Sequence, residues 1–226
     1  SLLKMVDAFV DEYEDQSGID LTNSIDQSYN STLDAYSTLS SGDAYTKLLL
    51  HMDGSEFSTL FVDSSSVAKT VTAINGAKIT TTQSTFGGAS GTFDGIDDYL
   101  TVSDSADWDF GSGDFTVDCW VRLNDLSASS TIFSQGPDFS NEIDWSIHPT
   151  SNVARIDVYS GGSPLMRLNF DFIPTINTWY HLALVRNGNV WNMYVDGVAA
   201  TKNLFAGSYS ITIPNYTSNL YIGTAI

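Results

Sequence analysis

The spacing of apolar residues changes once along this chain, near residue 45. Before that point apolar positions recur every three or four residues, starting with Leu2, Val6, Phe9 and Tyr13, while acidic residues occupy the opposite face. This pattern predicts an amphipathic helix over residues 2–13, followed by a second helix or an extended arm. We expect the apolar face of this segment to pack against another subunit, because no covering element lies beside it in the sequence.

Beyond Tyr45 short β-rich runs alternate with clusters of Gly, Asn, Asp and Ser, which predicts an antiparallel all-β sandwich or barrel. Asn187-Gly188 and Asp196-Gly197 predict tight hairpin turns, because these pairs tolerate positive φ angles. The predicted strands cover residues 47–52, 77–82, 99–102, 114–123, 131–135, 143–148, 154–159, 165–170, 179–187, 190–195 and 219–222.

Composition narrows the range of partners. A chain of 226 residues with 42% hydrophobic residues is long enough for one large sandwich with its own core. The net charge of -18 disfavours nucleic acid and anionic membrane surfaces. No apolar run approaches the roughly 20 residues of a membrane span, so membrane insertion is not expected.

The single cysteine, Cys119, allows no intrachain disulfide, and its alternation with Val117 and Val121 predicts a small buried residue.

Four segments resemble the laminin-G-like branch of the concanavalin A-like lectin/glucanase superfamily. They are residues 48–54 (LLLHMDG), 86–100 (FGGASGTFDGIDDYL), 114–122 (DFTVDCWVR) and 179–197 (WYHLALVRNGNVWNMYVDG). The resemblance implies a two-sheet jelly-roll sandwich that binds glycans or proteins, often with Ca²⁺ held in a loop. We therefore divide the chain into an acidic N-terminal arm, residues 1–43, and a jelly-roll domain, residues 44–226.

The family usually adds a closing strand after the segment that ends at Gly223, and no such run follows here. That strand normally pairs close to the first one. We therefore expect an open sheet edge around residues 47–52, to be filled by continuation of the chain or by strand addition.

Two phrases of the sequence resemble copies of this domain in bacteriophage structural and tail proteins and in bacterial surface proteins. They are residues 86–91 (FGGASG) and 107–116 (DWDFGSGDFT). This resemblance favours a non-enzymatic structural or adhesion module of a phage-like virion, which displays the sandwich to a host-surface glycan or a protein. Residues 1–40 would attach it to other virion subunits, in a homo-oligomer or a larger assembly. A secreted bacterial carbohydrate-binding module, extracellular or at the cell surface, is the alternative.

The strand around residue 144 raises the question of catalysis. The glucanases of the superfamily carry Glu, Asp and Glu at alternate positions of one strand, whereas this chain has Glu142, Asp144 and Ser146. A serine cannot replace the carboxyl group that acts as the acid and base in glycoside hydrolysis. We therefore expect no catalytic residues, and a glycoside hydrolase is the less favoured alternative.

Two groups of residues are candidate binding sites. Trp145 and Tyr159 are expected to stack on sugar rings, because polar loop residues lie near them in the sequence. A Ca²⁺ ion, which prefers oxygen ligands, is expected at the sheet rim. Its candidate ligands are Asp53, Asp94, Asp97 and Asp98. The competing explanation is that the last three of these residues only shape a turn.

Overall fold

The computed structural model of the chain describes residues 3–6, as backbone, and residues 44–225. Over these residues the fold is all-β apart from two 3₁₀ turns, Ala106–Trp108 and Pro149–Ser151. No helical segment in this part of the chain could cross a bilayer. The strands are β1 Leu3–Val6, β2 Val71–Ile74, β3 Lys78–Thr80, β4 Ser90–Thr92, β5 Tyr99–Val102, β6 Phe115–Leu123, β7 Ser130–Asp138, β8 Asn141–His148, β9 Val153–Ser160, β10 Ser163–Asp171, β11 Trp179–Asn187, β12 Val190–Val195, β13 Val198–Ala199, β14 Lys202–Gly207 and β15 Leu220–Ile222.

The strands form two antiparallel sheets that enclose one core. The smaller sheet has seven strands in the order β13-β12-β11-β6-β1-β4-β3, and the larger has eight in the order β14-β10-β9-β8-β7-β15-β5-β2. Large side chains fill the space between them, including the fully buried Trp145, Trp191, Phe93 and Phe170. This arrangement confirms the predicted antiparallel jelly-roll sandwich.

Most predicted strands are present, and the predicted hairpin turns join β11 to β12 and β12 to β13. Asp196 and Gly197 both adopt positive φ angles there, as does Gly188. Three further strands were not predicted, namely β2, β4 and β14. Cys119 is buried in β6, as predicted.

The predicted strand over residues 47–52 is wrong, and with it the prediction that this segment leaves an open sheet edge. Only Leu50 forms a β-bridge, with Asp63. The backbone N–H of Leu49 donates instead to the Asp63 carboxylate at 2.9 Å. Leu49 and Leu50 are buried all the same, so this apolar run belongs to the core without forming part of a sheet.

Strand β1 lies inside the smaller sheet. It pairs with β4 on one side, where Lys4 faces Thr92, and with β6 on the other, where Val6 faces Trp120. For these four residues the prediction of a helix outside the sandwich is wrong, because pairing satisfies the backbone groups of β4 and β6 that a helix would leave open. Residues 7–43 lie outside the described part of the chain, so the division at residue 43 and the packing against another subunit stay predictions.

Candidate functional site

The outward face of the larger sheet carries polar and charged side chains on three adjacent strands. Along β8, Ile143, Trp145 and Ile147 are fully buried in the core, so the residues that alternate with them face outward. The same alternation holds along β9 and β10. We call this surface the polar face and define it by Glu142, Asp144, Ser146, His148, Arg155, Asp157, Tyr159, Arg167 and Asn169.

The register of the strands aligns these side chains into rows that run across the sheet. Residues in a row are direct cross-strand neighbours, close enough for their side chains to interact. The first row is Tyr221, Ser134, Asp144, Asp157 and Arg167, and the second is Thr131, Ser146, Arg155 and Asn169.

Both arginines of the polar face are held by polar neighbours. Arg167 Nε donates to Asp157 Oδ1 at 3.0 Å, and its guanidinium lies 5.4 Å from the ring centroid of Tyr159. Arg155 Nε donates to Asn169 Oδ1 at 2.8 Å. The guanidinium groups are therefore oriented by contacts within the face.

A chain of hydrogen bonds links Asp144 to the edge of the face. Ser146 Oγ donates to Asp144 Oδ1 at 2.5 Å and lies 3.0 Å from His148 Nε2, while His148 Nδ1 lies 2.8 Å from Ser129 Oγ. Because the Ser146 hydroxyl proton is directed to Asp144, the serine oxygen accepts from Nε2–H, and Nδ1 accepts from Ser129. Burial, together with Arg155 and Arg167, lowers the pKa of His148 to about 4, so the imidazole is neutral at pH 7.

The carboxyl groups at the centre of the face are incompletely satisfied. Within the described residues, Glu142 Oε2 and Asp144 Oδ2 are inaccessible to solvent and make no hydrogen bond of good geometry, although the Thr131 hydroxyl lies close enough to Asp144 to lower its pKa. Burial raises the pKa of both groups to about 7, with a further increase from neighbouring carboxylates that include Asp157. The face thus places three carboxyls against two guanidiniums and leaves two carboxyl oxygens without a donor.

The two aromatic residues proposed to stack on sugars lie in different environments. Trp145 is fully buried, so its prediction as a sugar-stacking residue is wrong: as the alternate neighbour of Asp144 it points into the core. Tyr159 lies half-buried on the polar face, opposite Glu142. Sequence reasoning missed Tyr99 and Tyr221, whose rings lie 5.8 Å apart on the same outward side. The alternation of the apolar Leu100 and Val102 with Tyr99 and Thr101 is the sequence signal that could have revealed Tyr99.

A second cluster lies in the loop before β5. Carboxylate oxygens of Asp94, Asp97 and Asp98 come within 4.8 Å of one another, and this set suits a hard cation such as Ca²⁺. The same carboxylates also shape the turn. Asp94 Oδ1 accepts from the N–H of Ile96 at 2.8 Å, and this bond lowers the pKa of Asp94. Asp98 is buried and accepts from the N–H groups of Gly76 and Asp94.

Asp53 does not join that cluster, because its carboxylate lies against Gly87, where a Cβ atom would come within 2.2 Å of Asp53 Oδ1.

A family model described as "Concanavalin A-like lectin/glucanases superfamily" matches residues 93–225, which include the whole polar face. No curated protein matches the chain. Among solved structures, the carbohydrate binding module CBM66 from Bacillus subtilis is similar with 18% identity, 68% of this chain and 87% of that chain covered, and a TM-score of 0.39. Alginate lyase AlgAT5 from Polysaccharide Lyase family 7 is similar with 15% identity, 56% of each chain covered, and a TM-score of 0.29.

Proposed function

Because the chain belongs to the concanavalin A-like lectin/glucanases superfamily, we propose that it is a non-enzymatic glycan-binding module whose ligand lies on the polar face of the larger sheet. The observation that carries this proposal is the alignment of hydrogen-bonding side chains into rows beside half-buried tyrosine rings. Sugars present hydroxyl groups at their edges and apolar patches on their rings, so they bind where polar groups and aromatic surfaces adjoin.

Isothermal titration calorimetry on the full chain, guided by a glycan array, tests this proposal. Tyr221→Ala removes an aromatic ring at the end of the first row and should weaken glycan binding about tenfold. Tyr45→Ala removes a ring that is 78% exposed outside the face and serves as the matched control. Equal losses in the two variants, or no binding to any glycan, would overturn the proposal.

Glycoside hydrolysis is the alternative, favoured by one observation: the raised pKa of Glu142 is what a general acid needs. The third position of the strand argues against it, because Ser146 there is engaged with Asp144 and His148 and has no carboxyl group. We therefore propose that the face binds without cleaving. Release of reducing sugar from β-glucans, lost in Glu142→Gln, would establish the alternative.

We further propose which kind of particle or surface carries the module. The phage-like phrases of the sequence support a virion protein that binds a host-surface glycan and that residues 1–40 join to other subunits, in a homo-oligomer or a larger assembly. A secreted or cell-surface bacterial module is the alternative. Detection of the chain in purified phage particles would support the first setting, and its recovery from the medium of particle-free cells would support the second.

We also propose that Asp94, Asp97 and Asp98 hold Ca²⁺ at the rim of the sandwich. Their three carboxylates have the ligand type and the proximity that the ion requires. The turn hydrogen bonds already made by Asp94 and Asp98 would preorganise the loop for the ion.

A further inference from the structure

The charge balance of the polar face bears on the class of glycan that it accepts. Asp144 and Asp157 are directly opposite on neighbouring strands, an arrangement that is unfavourable for two like charges. Glu142 is two residues from Asp144 on the same side of β8. Of the two arginines, Arg167 is committed to Asp157 and Arg155 to Asn169. The face therefore holds three carboxyls against two guanidiniums, and neither of these bonds brings an arginine donor to Glu142 or Asp144.

Two oxygen atoms mark where the donors are missing. Glu142 Oε2 and Asp144 Oδ2 have no partner within the described residues, although Glu142 is 94% buried and Asp144 is 93% buried as whole residues (6% and 7% exposed). A buried acceptor without a donor destabilises the protein, more so if it is charged. A ligand that donates hydrogen bonds there gains that energy, and a ligand that brings another carboxylate adds to the repulsion.

We propose that the polar face selects glycans with free amino groups, such as de-N-acetylated hexosamine chains, and rejects uronates. This inference rests on the proposed glycan-binding function and specifies its ligand class. An ammonium group carries three donors and a positive charge, so it can donate to more than one carboxyl, whereas a hydroxyl donates once. Tyr159 is the cross-strand neighbour of Glu142, and its ring lies 5.4 Å from the guanidinium of Arg167.

The experiment compares soluble oligosaccharides of equal length by isothermal titration calorimetry on the full chain at neutral pH and physiological salt. The ligands are a glucosamine oligomer, an N-acetylglucosamine oligomer, a glucose oligomer and a uronate oligomer. We expect the glucosamine oligomer to bind about tenfold more tightly than the glucose oligomer, and the uronate oligomer to bind most weakly. Glu142→Gln should bring the ratio of glucosamine to glucose affinities close to one, whatever its effect on the affinity for the glucose oligomer.

The net charge of -18 attracts any polycation, so the control must separate this effect from recognition. Asp125→Asn removes the same charge from an exposed loop outside the polar face and should keep the preference. Asp144→Asn is the second test variant, in case Glu142→Gln does not fold, as circular dichroism would show. Any of three results would overturn the inference while leaving the proposed function intact. They are a ratio of glucosamine to glucose affinities near one in the wild type, a ratio that neither Glu142→Gln nor Asp144→Asn changes, and tight binding of the uronate oligomer. Failure of every oligosaccharide to bind would overturn both.

Discussion

Replacing Asp144 by asparagine should stabilise the protein at alkaline pH and leave it nearly unchanged at acidic pH. Burial of this carboxyl raises its pKa from 3.8 to about 7. Between those values the folded protein binds a proton that the unfolded chain has released, so wild-type stability falls as the pH rises through this window. Asparagine does not titrate, and its amide oxygen can still accept from the hydroxyl of Ser146.

The size of the effect follows from linkage. A pKa that rises from 3.8 to about 7 corresponds to about 4 kcal/mol of lost stability at high pH, taken as an upper limit. Burial is the largest cause of this shift, with a smaller contribution from Asp157, and the asparagine amide stays buried as a polar group, so the substitution should recover about half of the loss. For a chain of this size, about 2 kcal/mol raises Tm by roughly 4–8 °C.

Thermal unfolding of the wild type and Asp144→Asn, followed by circular dichroism between about pH 4 and pH 8, measures this difference in Tm. The difference should be small at the acidic end and should grow up to neutral pH. Asp125→Asn is the control and should have the opposite effect on stability. Hydrogen bonds from Ser127 lower the pKa of Asp125, so replacing this carboxylate should reduce stability at a pH above its titration range. A pH-independent difference, or an Asp144→Asn variant less stable than wild type at high pH, would refute the reasoning.

Three further predictions concern the core, a close strand contact and the acidic loop. Trp145→Ala should lower the free energy of unfolding by about 3–5 kcal/mol in urea denaturation, because the indole is fully buried; an effect below about 1 kcal/mol would contradict that placement. Gly136→Ala should lower the free energy of unfolding by about 1–3 kcal/mol, since its Cβ would lie 2.2 Å from the carbonyl oxygen of Asn141, and no measurable loss in urea denaturation would contradict that contact. Ca²⁺ should raise Tm in the wild type and in Asp53→Asn but not in Asp97→Asn, and an equal rise in all three proteins would exclude the proposed site.

The strands with strong alternation, such as β11 and β12, could be predicted from the sequence because burial on one side leaves a two-residue period. Residues 47–52 show where that signal fails. The run is apolar because it is buried, yet a side chain, Asp63, takes the place of a neighbouring strand. Apolar content reports burial and cannot report which backbone or side-chain groups bond to the segment.

The polar face was only partly visible in the sequence. Glu142, Asp144 and Ser146 stand at alternate positions of one strand, so their placement on the same side of the sheet could be predicted. The contribution of Asp157 and Arg167 depends on the register of β8, β9 and β10, and that register shifts at Pro164 in β10. The assignment of Trp145 to the surface neglected the same alternation, which requires the residue between Asp144 and Ser146 to point inward.

The position of β1 has a consequence for the order in which the protein assembles during synthesis. Lys4 pairs with Thr92 and Val6 pairs with Trp120, so the partners of β1 are about 90 to 115 residues away. At roughly 5–20 amino acids per second, the ribosome makes these partners several seconds after Leu3–Val6 has left the peptidyl transferase centre. Strand β1 therefore waits on the nascent chain, and it takes its place between β4 and β6 in the seven-stranded sheet only after β6 has emerged from the exit tunnel.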